Sequence, residues 1–119
     1  MPNEIIHIDF PVEDLEKAKA YYENLFGWKI RVYPEKNLAF FSTGNMPGGA
    51  FSNPSSGNPR KVSVCVLVFK LDEILDKATR LGAKIIKPKT FEDNGDEGKG
   101  YSTLILNPDG NYLWLWENV

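Results

Sequence analysis

The chain has 119 residues, of which 42% are hydrophobic and 25% charged, with a formal net charge of −2. That is the size and balance of one globular domain able to bury a core without staples, which excludes disordered and fibrous classes. The near-neutral charge leaves no basic stripe for a nucleic acid, and the single cysteine, Cys65, excludes an internal disulfide framework and a multi-thiolate zinc site.

From the N-terminus, Glu4 to Phe10 reads as a half-buried strand. Apolar and polar residues alternate from Ile6, setting Ile6, Ile8 and Phe10 on one face and His7 and Asp9 on the other. Asp14 is placed to cap the next helix, its carboxylate accepting from first-turn N–H groups. Leu15, Ala18, Tyr22 and Leu25 make the apolar stripe of that helix, and Gly27 stands where a left-handed residue ends it. Trp28 to Tyr33 and Asn37 to Thr43 read as strands joined at Pro34-Glu35-Lys36, followed by a short strand through Gly49-Ala50-Phe51.

The run SNPSSGNPR, from Ser52 to Arg60, has no apolar anchor and is rich in turn residues, so residues 53–60 are expected to link two modules. After it the order repeats. Val62 to Phe69 reads as a strand, too short an apolar run to span a membrane. Leu71 to Leu81 reads as a helix with Leu71, Ile74, Leu75, Ala78 and Leu81 inward, supported by the outward pairs Glu73–Lys77 and Asp76–Arg80. Gly82 ends it. Ala83 to Lys87 is the next strand, closed by Pro88, which cannot donate to a ladder. Thr90 to Lys99 is expected as a polar loop, with a lid among its possible roles and a solvated surface loop as the commoner one. Tyr101 to Leu106 and Asn111 to Glu117 are the last strands, turning at Asn107-Pro108-Asp109-Gly110.

The halves can be overlaid. With His7 on Ser63, Leu15 falls on Leu71, and one extra residue in the first helix brings Gly27 onto Gly82. Each half is strand, helix, then three strands, a repeat in which neither half is expected to close its own core. No glycine-rich phosphate loop follows a strand, which disfavours a nucleotide fold. The N-terminus lacks a basic segment followed by an apolar one, so no signal peptide is expected and the chain reads as cytoplasmic, with no membrane partner.

The opening His7…Val12-Glu13-Asp14-Leu15-Glu16-Lys17-Ala18…Tyr22…Leu25-Phe26-Gly27-Trp28, the run Leu81-Gly82-Ala83-Lys84-Ile85-Ile86-Lys87-Pro88 and the ending Asn107-Pro108-Asp109-Gly110-Asn111 resemble the vicinal-oxygen-chelate superfamily of glyoxalases, bleomycin-resistance proteins and dioxygenases. The resemblance covers almost the whole chain. It implies an α+β fold of two βαβββ modules forming a cupped mixed sheet: one domain, 1–119, made of modules 1–52 and 61–119. It also implies a pocket for a small molecule, often completed in a homodimer. The family spans several chemistries, so membership by itself does not name a reaction.

Metal-bearing members place ligands near the first and last strand of each module. By that correspondence His7 takes the first position, Ser63 its counterpart, Trp114 the usual carboxylate position, and the last falls near Gly49-Ala50. A catalytic ion generally needs about three protein ligands, so no metal and no cofactor are expected. Glu117, three residues beyond Trp114, faces the other side of a regular strand.

The candidate ligand-binding residues are therefore His7, Asp9, Ser63, Cys65, Tyr112, Trp114 and Trp116, with no catalytic residue assigned. His7, the only histidine, is open to a role as base, donor or residual ligand, because the unperturbed imidazole changes charge near neutral pH, against the plainer alternative of a histidine satisfied locally on a sheet face. Asp9 is placed to orient it, though a solvated carboxylate is the commoner case. Tyr112, Trp114 and Trp116 share one face, suited to a flat ligand, to filling the space of a lost metal site, or to packing a dimer interface. Cys65 reads as a buried thiol with no cation adjacent in sequence to activate it. The leading expectation is a metal-independent binder of a small organic molecule. The alternatives are a glyoxalase-like lyase or isomerase holding a metal through His7, and a structural or regulatory interaction module with a closed pocket.

Overall fold

The structure, a computed structural model, describes residues 3–54 and 57–119. They form two compact units, one spanning Ile6–Ser63 and the other Val64–Val119 together with the segment before Ile6. Each unit is mixed α+β.

The first contains β1 (Ile5–Pro11, of which Ile5 falls in the second unit), α1 (Leu15–Phe26), β2 (Lys29–Tyr33), β3 (Leu38–Ser42) and β4 (Gly48–Ser52). Its strand order is β2-β3-β4-β1, with β1 parallel to β4 and the other pairs antiparallel. Asp14 caps α1 by accepting from the Lys17 N–H at 3.0 Å, and Gly27 ends it with φ 72°. The helix lays Ala18, Leu15 and Tyr22 on Phe10, Ile30, Ala39, Phe41 and Phe51. This core is aromatic: Tyr22 stacks on Trp28 at 5.5 Å and on Phe51 at 4.8 Å, and Trp28 on Phe41 at 4.8 Å. Trp28 covers that end of the core, and Leu25, expected inward, is exposed. A Cβ on Gly49 would lie 2.1 Å from the Ile8 carbonyl oxygen and 2.3 Å from the Phe41 ring, so only glycine lets β4 lie this close to β1.

The second unit contains β5 (Ser63–Leu67, of which Ser63 falls in the first unit), α2 (Leu71–Arg80), β6 (Lys84–Asp93), β7 (Lys99–Leu106) and β8 (Tyr112–Asn118), in the order β5-β8-β7-β6 with β5 parallel to β8. The chain's start belongs here: the Asn3 N–H donates to the Leu67 carbonyl and the Leu67 N–H to the Glu4 carbonyl, both at 2.8 Å. Its core is aliphatic, with Val68, Leu71, Ile105 and Leu115 packed by Val66, Ile74, Leu75 and Leu113. Asp76 and Arg80 pair along α2 at 3.2 Å. Leu81 lies beyond the last turn and is exposed rather than inward. Lys70 offers α2 no side-chain cap; the Glu117 carboxylate reaches across from β8 and accepts from the Leu71 N–H at 3.3 Å.

The expected strand end at Pro88 and the polar loop after it are corrected. β6 runs on through Pro88 to Asp93 and pairs with β7 in a long hairpin whose tip is a 3₁₀ turn, Gly95–Glu97. β6 is the last strand in the order, so the missing N–H of Pro88 faces no further ladder, and register shifts between Ile85, Lys87 and Thr90 absorb the proline. Phe91 and Tyr101, edge to face at 5.5 Å, hold the distal part of this hairpin. Of the expected linker 53–60, residues 55 and 56 lie outside the described residues. Among the described residues no helix is long and apolar enough to cross a membrane.

The internal correspondence holds at the level of hydrogen bonds. The Val12 N–H donates to the Ser52 carbonyl at 2.9 Å, and its counterpart Val68 donates to the Trp116 carbonyl at 2.8 Å. Asp9 pairs with Ala50 across β1 and β4, as Cys65 does with Trp114 across β5 and β8.

Candidate functional site

In each unit the helix covers one sheet face, so strand alternation delivers every second residue to the opposite, helix-free face. In the first unit that face carries Arg31, Phe40, Ala50 and Asp9 in one cross-strand row. His7 stands beside the row, its Nε2 3.4 Å from Asp9 Oδ1, with their side chains 25% and 19% exposed. Phe40 meets the His7 ring edge to face at 6.0 Å and the Tyr33 ring at 5.6 Å, and the Tyr33 hydroxyl lies 3.5 Å from Arg31 Nη1. The pair that alternation alone puts on one face is therefore in contact, with the imidazole held between a carboxylate and an aromatic edge. Opposite it, β4 contributes only Gly48 and Ala50.

In the second unit the corresponding row is Lys87, Leu104, Trp114 and Cys65. Tyr112, Trp114 and Trp116 share the helix-free face of β8, and Cys65 is buried on β5 beside Trp114. The two indoles differ. Trp116 donates its Nε1–H to Asn118 Oδ1 at 2.7 Å. The Nε1–H of Trp114 is buried with no hydrogen-bond partner among the described residues, as is the Ser63 hydroxyl at the start of β5. A Cβ on Gly100 would lie 2.6 Å from the Trp116 ring, so the glycine makes the bed on which this indole lies flat.

Residues outside the sequence-derived set complete this face. The Lys87 ammonium stands over the Trp114 ring, 5.5 Å from its centroid. Burial pushes the Lys87 pKa below the ordinary lysine range, against the opposing pull of the Glu92 charge. Glu92 accepts from the Ser102 hydroxyl. These residues escape sequence reading because β6 is read there as ending at Pro88, which puts Glu92 in a loop and leaves Lys87 without a facing strand. Arg31 was legible in principle, alternating with Lys29 and Tyr33 along β2.

The positions where the resemblance places metal ligands do not fit an ion. His7 has Asp9 beside it but glycine and alanine opposite, and Trp114 fills the carboxylate position. The register of β8 against β7 is regular, so Glu117 stays on the helix side, engaged with the Leu71 N–H. Among the described residues no group of three or more His, Cys, Asp or Glu side chains is arranged to hold a metal.

Comparison with known proteins places this geometry. The metallothiol transferase FosB of Lysinibacillus sphaericus (strain C3-41) is 29% identical over 110 residues, covering 90% of this chain and 77% of that protein. A glyoxalase/bleomycin resistance protein/dioxygenase superfamily member from Vibrio splendidus 12B01 superposes with a TM-score of 0.71 at 8% identity, covering 98% of this chain and 99% of the other. A methylmalonyl-CoA epimerase variant from Streptomyces coelicolor, solved with 2-nitronate-propionyl-CoA, gives 0.68 at 12% identity over 100% of this chain and 99% of that one. These structures share the α+β glyoxalase-like fold. The sequence model of the Glyoxalase/Bleomycin resistance protein/Dioxygenase superfamily matches residues 4–115, and the chain belongs to that family.

Proposed function

We propose that this chain binds a small organic molecule without a metal, the aromatic face of β8 supplying the contact. One observation carries the reading: Tyr112, Trp114 and Trp116 occupy the helix-free face of the final strand, and the family resemblance assigns Trp114 the position of a carboxylate ligand. Indole and phenol rings present broad apolar area with polar edges, which suits a flat ligand. The name of the FosB relative, a metallothiol transferase, points to a metal and the transfer of a thiol. This chain departs from such chemistry in its residues, since among the described residues His7 has Asp9 beside it but no third His, Cys, Asp or Glu arranged to complete a site. His7 and Asp9 are assigned to ligand contact on the first unit's face, the carboxylate orienting the imidazole. The same reading takes the protein as a cytoplasmic homodimer, in keeping with the single cysteine and with the family resemblance.

The test is metal content by mass spectrometry on protein purified without chelator, beside a His7→Ala variant. The expected result is substoichiometric metal in both, with unfolding unaffected by added divalent ions. Stoichiometric metal that disappears in His7→Ala overturns the reading and supports a metal-dependent lyase or isomerase.

A further inference from the structure

Resting on the binding role just proposed, we infer that the ligand is an organic anion, a flat molecule whose carboxylate, enolate or phenolate oxygen is received between the Trp114 indole N–H and the Lys87 ammonium. Two independent observations point there. First, the Trp114 Nε1–H is a buried donor with no partner among the described residues, while its neighbour Trp116 has one in Asn118. A buried N–H left unpaired is destabilising, and an acceptor on a ligand removes that penalty. Second, the cation and this donor belong to one row of one face. Lys87 on β6, Leu104 on β7 and Trp114 on β8 are successive cross-strand neighbours, and the ammonium stands over the indole itself.

Chemistry selects an anion over a neutral acceptor. The Lys87 charge is partly desolvated, and the nearby carboxylate, Glu92, is shared with the Ser102 hydroxyl. A cation in this setting gains more from an incoming negative oxygen than a solvated surface lysine does, because charge-assisted hydrogen bonds strengthen as water is excluded. The remaining surface on offer, the flat face of Trp116 laid on Gly100, is apolar and accommodates a ring or chain, with the fully buried Leu104 as its floor. An oxyanion on an aromatic or conjugated body matches both halves of the site.

The experiment uses 1-naphthoate and its neutral counterpart 1-naphthamide, titrated into the full chain carrying ¹⁵N-labelled tryptophan, with Trp114→Phe assigning the Trp114 indole signal. Naphthoate is expected to move that signal and to bind about tenfold more tightly than naphthamide, the scale of one charge-assisted hydrogen bond. Lys87→Met is expected to abolish the preference, and Trp114→Phe to weaken naphthoate about tenfold while keeping the ring. The comparison of naphthoate with naphthamide is read on the unsubstituted chain, so it stands if either variant misfolds. Equal binding of the two probes, with the indole signals moving, overturns the anion and leaves the aromatic binding face standing. A naphthoate preference that survives Lys87→Met, or a Trp114 signal that naphthoate leaves in place, also overturns the anion site. Neither probe moving any indole signal overturns both.

Discussion

The two units share a backbone plan, and at several matched core and final-strand positions they place aromatic residues on opposite sides of it. Under α1 the core positions of β1, β3 and β4 are Phe10, Phe41 and Phe51; their counterparts under α2 are Val66, Ile105 and Leu115. On the helix-free faces the pattern reverses, with Gly48, Ala50 and Ser52 on β4 answered by Tyr112, Trp114 and Trp116 on β8. The first strands compensate: His7 and Asp9 face the small residues, and Cys65 faces Trp114. These three cross-strand pairs thus combine one small and one larger side chain, by opposite assignments in the two halves. A duplicated frame fixes where side chains point and leaves their volume and polarity free to diverge, so one face became a histidine–carboxylate pair and the other an aromatic wall.

The strongest way to break this comparison is in the cores. Phe51 is fully buried among Tyr22, Phe10 and Phe41, and its counterpart Leu115 is 3% exposed. Phe51→Ala is expected to destabilise by about 4 kcal/mol and Leu115→Ala by about 3 kcal/mol, the larger value following from the larger void and lost ring stacking. Urea denaturation followed by circular dichroism measures both. Equal losses would mean that the stacked rings contribute no more than the area they bury.

How much of this was legible in sequence follows from range. Alternation from Ile6 to Phe10 set His7 and Asp9 on one face, and a cap at Asp14 and a stop at Gly27 framed α1, because these signals act within a few residues. The extent of β6 is not legible in sequence, because the penalty for Pro88 depends on whether a strand lies beyond it, which only the assembled sheet decides. Lys87 joined the candidate site for the same reason: its neighbour Trp114 lies across two ladders. The orphan Trp114 N–H has no sequence signature at all, since satisfaction of a donor is a property of its surroundings.

Glu117 offers a test of intermediate size. In the first unit the corresponding residue is Asn53, whose side-chain amide donates to the Glu13 carbonyl at 3.0 Å, just before α1. Both residues reach from the end of the final strand to the start of the helix, one donating and one accepting. Glu117→Ala is expected to cost about 1 kcal/mol, the ordinary loss of a helix cap, and to leave metal content unchanged. A change in bound metal with little change in stability would move Glu117 from helix anchor to ligand and undo the distinction between its face and that of Trp114.

The smallest expected effect concerns Lys87, the counterpart of Arg31 in the two cross-strand rows. An arginine stays charged at any accessible pH, whereas burial has lowered the Lys87 pKa despite the Glu92 charge. Between that lowered value and the ordinary lysine range, the unfolded chain binds more protons than the folded one, so this group's contribution to stability rises with pH across that alkaline window. Below the window both states carry the charge and its burial penalty is fully present. Lys87→Met keeps the stem and removes the charge, so it is expected to stabilise the unliganded protein near neutrality by about 0.5 kcal/mol or less, because the ammonium retains solvent contact. The gain should shrink as pH rises through the window. Arg31→Met is expected to show no such trend. Chemical denaturation of the two variants against the unsubstituted chain at neutral and alkaline pH separates them. A Lys87→Met gain that holds constant with pH would mean that packing, rather than an uncomfortable charge, distinguishes this end of the aromatic face.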